Sequence, residues 1–373
     1  MNILIACDSF KDAAPALRVC EAIGRGWREA CPHAELRLFP LADGGEGMAD
    51  AMAHHLGLAP RRAQVRDPLM RPVEAVYYLS PDGRLAFIEM AQAAGLERLS
   101  AQERNPLHTT TYGLGELIAH AISQGARQIV LGLGGSATND AGMGMAAALG
   151  WQFEGPQGAP LPPQGSQLGQ VRRIIAPQPS TLAGIGFEAM CDVANPLFGP
   201  QGAARVYGPQ KGAGEAEVAL LDAGLAHFAA VCGQHPTAPD PHTPGAGAAG
   251  GLGFGALFFL GARLQRGIDL MLDRTHFDQH LQWAHLVITG EGRLDSQTAQ
   301  GKLISGVAQR AARFRKPVVA LCGALEADPA AIRQLGLQAA FSIAQKPCSL
   351  EEALRATEEN LQKTAFQLAR VWR

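Results

Sequence analysis

Five polar loops in the sequence carry side chains that could do chemistry, and each loop follows a short apolar run. They span residues 8–11, 43–47, 132–140, 192–195 and 291–295. Their carboxylates could bind a metal ion or accept a proton, while Lys11 and Arg293 could neutralise charge that develops on a phosphate. A lone Asp in a turn usually caps backbone N–H groups. Five such loops in one chain, however, favour a site for phosphoryl transfer.

The stretch 128–149 is the most distinctive of these regions. It begins with a short, apolar, partly β-branched run at 129–131, which is typical of a buried parallel strand. Three glycines and four capping-type side chains follow: Gly132, Gly134, Gly135, Ser136, Thr138, Asn139 and Asp140. A helix is predicted over 143–149. Because glycines let a ligand approach the backbone, and free N–H groups at a helix N-terminus favour an anion, this stretch predicts a phosphate cradle.

Two other functions fit the same glycines. Gly132, Gly134 and Ala137 match the GxGxxA pattern of dinucleotide sites, with Glu154 near the position expected for the ribose acid. That would indicate an NAD(P)-dependent dehydrogenase, but a Pro-rich loop follows Glu154 and the other polar loops would have no role. A non-catalytic two-domain protein that binds an anion would need the glycines and cations but not the carboxylates. The residues alone leave these alternatives open.

Composition limits the partners. The chain has 373 residues, a net charge of −2 and 18% charged residues, so we expect neither nucleic acid nor membrane to bind it through a general electrostatic field. Its seven cysteines form no CxxC pair, which predicts free thiols in a reducing cytoplasm. Asp8 and Lys11 stand where a signal peptide needs an apolar run. The uncharged stretch 245–262 is rich in glycine, which favours a loop and a buried helix (253–264) over a membrane span.

Both ends of the chain alternate between strand and helix. Strands are predicted at 2–7, 35–40, 286–289, 318–322 and 339–343, with helices at 15–30, 48–56, 302–314, 329–335 and 350–371. Together they predict an α/β fold, a doubly wound five-stranded parallel sheet built from residues 1–64 and 281–373. Residues 65–280 then form a second, inserted α/β domain that carries the glycine-rich loop. Its first strands, near 65 and at 73–79 and 85–90, are separated by tight turns that indicate antiparallel pairing.

Six runs in the sequence resemble those of the type I glycerate kinases. They fall in order across almost the whole chain, at residues 8–11, 42–47, 132–140, 191–197, 208–212 and 288–295. The resemblance implies ATP-dependent phosphorylation of D-glycerate by a two-domain α/β protein. The expected products are ADP and a phosphoglycerate, with 2-phosphoglycerate favoured over 3-phosphoglycerate. The cofactors implied are ATP and Mg²⁺, and the partner is the small-molecule substrate glycerate.

Chemical type then suggests a role for each residue within these runs. Asp192 is the candidate to accept the proton of the substrate hydroxyl, and Lys11 is the second catalytic candidate. The predicted nucleotide-binding residues are Gly134, Gly135, Ser136, Thr138, Asn139 and Lys211. The predicted substrate-binding residues are Asp8, Ser9, Asp43, Gly44, Gly45, Glu46, Asn195 and Arg293. Glu291 and Asp295 are the predicted Mg²⁺ ligands, since they supply hard oxygen donors.

Overall fold

A computed structural model describes residues 1–42, 47–177, 182–295 and 303–372. The chain divides into two compact units. The first unit combines Met1–His55 with Gly267–Arg373, and the second unit is Leu56–Arg266. Each unit has its own buried core: Ile5, Trp27 and Val319 lie in the core of the first, whereas Leu131 and Phe254 lie in that of the second.

The first unit contains a five-stranded parallel sheet, which confirms the predicted fold class. Its strands lie in the order β13-β12-β11-β1-β2 and every neighbouring pair is parallel. The strands are β1 (Asn2–Cys7), β2 (Glu35–Leu38), β11 (Leu286–Leu294), β12 (Val318–Leu325) and β13 (Ala339–Ser342). The helices are α1 (Ala16–Ala30), α2 (Met48–Leu56), α9 (Gly267–Arg274), α10 (Phe277–Trp283), α11 (Leu303–Arg313), α12 (Pro329–Gln334), α13 (Leu350–Arg355) and α14 (Thr357–Val371).

The order of these strands identifies where a ligand is expected. From β1 the chain proceeds to β2 on one side, while β11, β12 and β13 follow one another on the other side. The direction of winding therefore reverses between β1 and β11. In open α/β sheets, ligands bind outside the carboxyl ends of the strands at such a reversal. The loop after β1 is one of the five predicted by the sequence, and the predicted segment 291–295 lies at the carboxyl end of β11.

The second unit contains a mixed six-stranded sheet in the order β10-β9-β6-β5-β4-β3. Strands β3, β4 and β5 pair antiparallel, as their tight turns predict, and the remaining neighbours are parallel. The strands are β3 (Ala59–Arg66), β4 (Pro72–Leu79), β5 (Leu85–Glu89), β6 (Gln128–Gly132), β9 (Gly186–Met190) and β10 (Arg263–Gln265), with a separate hairpin of β7 (Gln152–Glu154) and β8 (Arg173–Ile175). The helices are α3 (Ala91–Ala94), α4 (Tyr112–Ser123), α5 (Met143–Ala148), α6 (Ala203–Tyr207), α7 (Glu215–Cys232) and α8 (Ala248–Leu260).

The units change at 55/56 and 266/267, whereas the sequence places the domain boundaries at 64/65 and 280/281. Strand β3 explains the first difference, because it pairs with β4 along its whole length and so belongs to the second sheet. Ring packing accounts for the second difference, because the ring centroid of Phe277 in α10 lies 5.1 Å from that of Phe39, and both residues belong to the first unit.

Strand β11 is longer than predicted, and the expected loop at 291–295 is wrong for most of its length. The strand continues to Leu294 because Glu291, Arg293 and Leu294 pair with Cys322, Ala324 and Leu325 of β12. The predicted buried helix at 253–264 lies instead at α8, which is followed by the short strand β10. No helix in the described ranges is long and apolar enough to cross a membrane.

Candidate functional site

The glycine-rich loop after β6 combines exposed backbone with buried side chains. Gly134 and Gly135 are exposed, while residues 136–140 are buried. Gly135 has φ +72°, a left-handed conformation that a side chain would strain. The Leu96 N–H donates to the Gly135 carbonyl at 2.8 Å, which fixes the turn from one side. The loop therefore presents two glycine residues on a backbone that the rest of the unit holds in place.

Lys211 lies beneath this loop. Its side chain is buried, and Nζ donates to Ser136 Oγ at 2.8 Å and to the Thr138 carbonyl at 2.7 Å. Burial lowers the pKa of Lys211 to about 7, although the negative charge of Asp140 opposes that change. The sequence predicts Lys211 as a nucleotide-binding cation. In the structure its ammonium contacts the loop's own oxygen atoms, so it joins two points of the loop from within.

Asp140 is the hydrogen-bond centre of the same region. Its buried carboxylate accepts from the N–H and Oγ1 of Thr111 at 2.7 and 2.8 Å, and from the N–H groups of Gly142 and Gly144 at 3.1 Å each. Burial raises the pKa of Asp140, whereas the bonds from Thr111, Gly144 and Gly142 lower it. All four partners donate, so the ionised carboxylate is the form that satisfies them.

These bonds correct the prediction that α5 offers free N–H groups to an anion. Gly144 donates to Asp140, and Met145 donates to Thr111 Oγ1 at 2.8 Å. Both N–H groups lie in the first turn of α5, and both already have partners inside the protein. An anion at this loop would therefore depend on the exposed backbone at Gly134 and Gly135 more than on the helix N-terminus.

The run Thr109–Thr110–Thr111 belongs to this region and is missed by the sequence-based prediction. All three residues are buried, and Thr109 Oγ1 donates to the Ala137 carbonyl at 3.0 Å. Three consecutive threonines before a helix look like an ordinary helix start. The signal that could have identified them is that three β-branched polar residues in a row are unusual for a solvent-exposed cap.

Two glycine-rich stretches, which the sequence separates by more than a hundred residues, meet at this loop. Ala249, Gly250 and Gly251 adopt left-handed φ values before the regular part of α8. The Ala141 N–H donates to the Gly250 carbonyl at 3.1 Å, and a Cβ on Gly250 would lie 1.9 Å from the Thr138 carbonyl oxygen. Glycine at 250 is thus required by the close approach of the two backbones.

The loop that carries Asp192 joins the same region. Asp192 is exposed and follows the end of β9 by two residues. Asn195 donates to the Gln201 carbonyl at 2.8 Å and accepts from the Tyr207 hydroxyl at 2.7 Å. The Asn195 carbonyl also accepts from the Gly247 N–H at 2.9 Å. The amide of Asn195, a predicted substrate-binding group, is therefore engaged in shaping this loop.

Two further predicted ligand-binding residues have unpaired polar atoms. Thr138 Oγ1 and both amide atoms of Asn139 are buried and have no hydrogen-bond partner in the described part of the chain. Leaving a buried polar group unpaired costs about 1–3 kcal/mol. Groups that carry such a cost are natural ligand contacts, because a bound molecule could satisfy them.

In the first unit, the loop after β1 lies beside the carboxyl-terminal part of β11. Asp8 donates its N–H to the Gly290 carbonyl at 2.9 Å, and a Cβ on Gly292 would lie 3.6 Å from the backbone nitrogen of Lys11. The N–H and Oγ of Ser9 donate to Asp8 Oδ1 at 2.7 and 3.3 Å, while Lys11 is exposed. The predicted residues Asp43, Gly44, Gly45 and Glu46 lie outside the described residues.

The carboxylates of β11 have different surroundings. Glu291 is buried, whereas Arg293 is exposed and pairs with Glu326 at 2.7 Å and with Asp295 at 3.8 Å. Because β11 is extended, about 10 Å of strand separates Glu291 from Leu294, the residue before Asp295. No group of three or more His, Cys, Asp or Glu side chains suited to a metal occurs in the described ranges. One or two carboxylates would still fit Mg²⁺, which usually keeps several waters and binds substrate phosphates.

Comparisons with known proteins give matches that cover nearly the whole chain. A family model described as the glycerate kinase family matches residues 3–373. A Bacillus cereus protein named glycerate kinase is 46% identical, covering 100% of this chain and 98% of the relative. An Escherichia coli protein named glycerate 2-kinase is 42% identical, covering 99% of this chain and 97% of the relative. A crystal structure from Salmonella typhimurium LT2, named for glycerate kinase 2, is 44% identical and superposes with a TM-score of 0.89. The match covers 99% of this chain and 97% of that one.

These full-length relatives, together with the two α/β units, make the chain a kinase. Within that class it belongs to the glycerate kinase family.

The buried ammonium of Lys211 should make stability depend on pH. Its pKa of about 7 in the folded protein lies below the ordinary 10.5, so the unfolded chain binds more protons between those values. The free energy of unfolding should therefore rise by about 2 kcal/mol between about pH 7 and pH 9. Lys211→Met should abolish this part of the rise, as measured by urea denaturation. The surface variant Lys363→Met is the control, and a Lys211→Met profile parallel to wild type would contradict the assignment.

Proposed function

We propose that this kinase transfers the γ-phosphoryl group of ATP to the 2-hydroxyl of D-glycerate, giving 2-phosphoglycerate and ADP. The observation that carries the proposal is the glycine loop. Gly134 and Gly135 expose their backbone while Lys211 fixes the loop from below through Ser136 and Thr138. A preformed backbone that donates to phosphate without reorganising is what phosphoryl transfer requires. The names of the relatives supply the acceptor, glycerate.

The residues of the second unit would act as follows. Gly134 and Gly135 would donate to the nucleotide phosphates, and Thr138 and Asn139 would use their unpaired polar atoms on bound nucleotide. Asp192 would accept the proton of the attacking hydroxyl. The hydroxyl oxygen then bonds to the γ-phosphorus while the bond to the β–γ bridging oxygen breaks, and ADP leaves with that electron pair.

The first unit would contribute charge. Lys11 is exposed and would neutralise negative charge on the nucleotide or on the glycerate carboxylate. Asp8, Ser9 and Arg293 stay candidates for contacts with glycerate. Glu291 or Asp295 would hold Mg²⁺ through a carboxylate oxygen, and Mg²⁺ would supply electrostatic stabilisation of the transferring phosphoryl group.

A dehydrogenase is less well supported than a kinase. A dinucleotide site needs the helix after the glycine turn to receive the pyrophosphate, but the N–H groups of Gly144 and Met145 bond to Asp140 and Thr111. Glu154, the expected ribose acid, pairs instead with Arg173 at 3.4 Å. We also propose a cytoplasmic location, since all seven cysteines are free thiols.

Purified protein should form ADP from ATP only when D-glycerate and Mg²⁺ are both present. The ³¹P NMR spectrum of the product should be that of 2-phosphoglycerate, because the proposed transfer is to the 2-hydroxyl. A product spectrum of 3-phosphoglycerate would contradict the position alone. A glycerate-dependent change in NAD(P)H absorbance without ADP would contradict the kinase reaction itself.

Asp192→Asn should lower kcat by about 10²-fold or more, because it removes the basic oxygen while keeping the shape of the side chain. Asp192 is exposed, so the variant should fold, and the affinity for ATP should change little. Asp240→Asn is the matched control. Asp240 is also exposed in the second unit, and its Oδ1 accepts from the His242 N–H at 2.8 Å, a bond that Asn can keep. A folded Asp192→Asn enzyme with more than about a tenth of wild-type kcat would argue against a base.

A further inference from the structure

A cavity of about 220 Å³ lies in the second unit, away from the glycine loop. Its lining residues come from β8 and the residues beside it, from the end of α7 and the residues after it, from the segment after α5 and from the C-terminal part of α8. They are Trp151, Arg172, Arg173, Ile174, Ala176, Val231, Cys232, Gln234, His235 and Phe258. None of the roles discussed above uses this cavity.

The lining divides into an apolar floor and a rim of donors. Trp151 and Phe258 contact each other at 5.9 Å between ring centroids, and with Val231 they give the floor a ring-sized apolar surface. Arg172 and Arg173 stand at the rim, and the described lining residues include no Asp or Glu. An apolar body with one negative group is the ligand that such a lining would favour.

The two arginines differ in availability. Arg173 pairs with Glu154 at 3.4 Å, so part of its charge is already compensated. The guanidinium of Arg172 is exposed and has no hydrogen-bond or ion-pair partner in the described part of the chain. Because a guanidinium binds a carboxylate through two parallel hydrogen bonds, Arg172 is the group best suited to select an anion here.

His235 adds a third donor at the rim. Its Nδ1 accepts from the Thr237 N–H at 3.3 Å, so the neutral imidazole carries its proton on Nε2. The ring lies edge-on to Phe258 at 5.7 Å. Nε2 is therefore a donor at the boundary between the apolar floor and the cationic rim.

Size restricts the ligand further. A cavity of about 150 Å³ is enough for benzene, whereas sites for larger cofactors usually measure about 300–1,000 Å³. At about 220 Å³, this cavity fits a single ring with a carboxylate and is too small for a nucleotide.

The position of the cavity separates it from the glycine loop. Helix α5 begins directly after Gly142 of the loop, and Trp151 follows its far end. Helix α8 begins with the left-handed turn that packs on Thr138, and Phe258 lies near its far end. The cavity and the loop therefore lie at opposite ends of the same two helices.

We propose that this cavity is a second binding site, separate from the glycine loop, for a small cyclic or aromatic carboxylate. The ring packs on Trp151 and Phe258, and the carboxylate binds Arg172. The proposal does not rest on the proposed function.

Isothermal titration calorimetry on the full chain tests the site with benzoate and its neutral analogue benzamide. Benzoate should bind about tenfold more tightly than benzamide, because a charge-assisted hydrogen bond contributes that much. In Arg172→Gln the preference for benzoate should largely disappear. Arg61→Gln, which removes another exposed arginine of the same unit, should keep it.

In this titration, any of the following results would overturn the proposal: no benzoate binding to wild type, equal affinities for benzoate and benzamide, or an unchanged preference in Arg172→Gln. The titration is repeated with saturating ATP and D-glycerate. Benzoate affinity should be unchanged, whereas displacement of benzoate would mean that it occupies the nucleotide or glycerate site and would equally overturn the proposal.

Discussion

The glycine-rich loop depends on one buried interaction, the ammonium of Lys211 held between Ser136 and the Thr138 carbonyl. Removing a lysine from water lowers its pKa, here to about 7, so the arrangement is costly for the folded state. Its benefit is geometric. A single side chain from the distant 209–211 turn ties together two points of a loop whose glycines would otherwise leave it mobile.

Asp140 completes this arrangement. Its carboxylate collects four hydrogen bonds and so connects the loop, the start of α5 and the threonine run at 109–111. The same bonds use up the N–H groups that a phosphate-binding helix would offer. The proposed phosphate contacts therefore shift to Gly134 and Gly135, and to the unpaired atoms of Thr138 and Asn139.

Sequence periodicity predicts the regular elements well. The predicted bounds of β1 and α2 agree with the structure to the residue, because polar residues or glycines in the sequence mark their ends. Strand β11 is longer than its sequence predicts, since its glycines are typical of a loop and only the pairing with β12 extends the strand to Leu294. Pairing partners distant in sequence decide such ends, and local patterns do not contain them.

In the candidate site, too, local patterns predict some features and miss those that depend on residues distant in sequence. The glycine loop, Asp192 and Lys211 can be found from residue type and local turns. The role of Lys211 cannot be predicted in this way, because a lysine in a polar turn of the sequence gives no sign that it is buried beneath another loop. Likewise, the contact of Gly250 with Thr138 depends on tertiary packing between segments far apart in the chain.

A double-mutant cycle on ATP binding tests the central claim most directly, namely that Lys211 acts on nucleotide through the loop. ATP dissociation constants would be measured for wild type, Lys211→Met, Ser136→Ala and the double variant, each shown to be folded. If Lys211 works through its bond to Ser136, the two losses should fall short of additivity by about 1 kcal/mol. Losses that add to within about 0.3 kcal/mol would contradict the account.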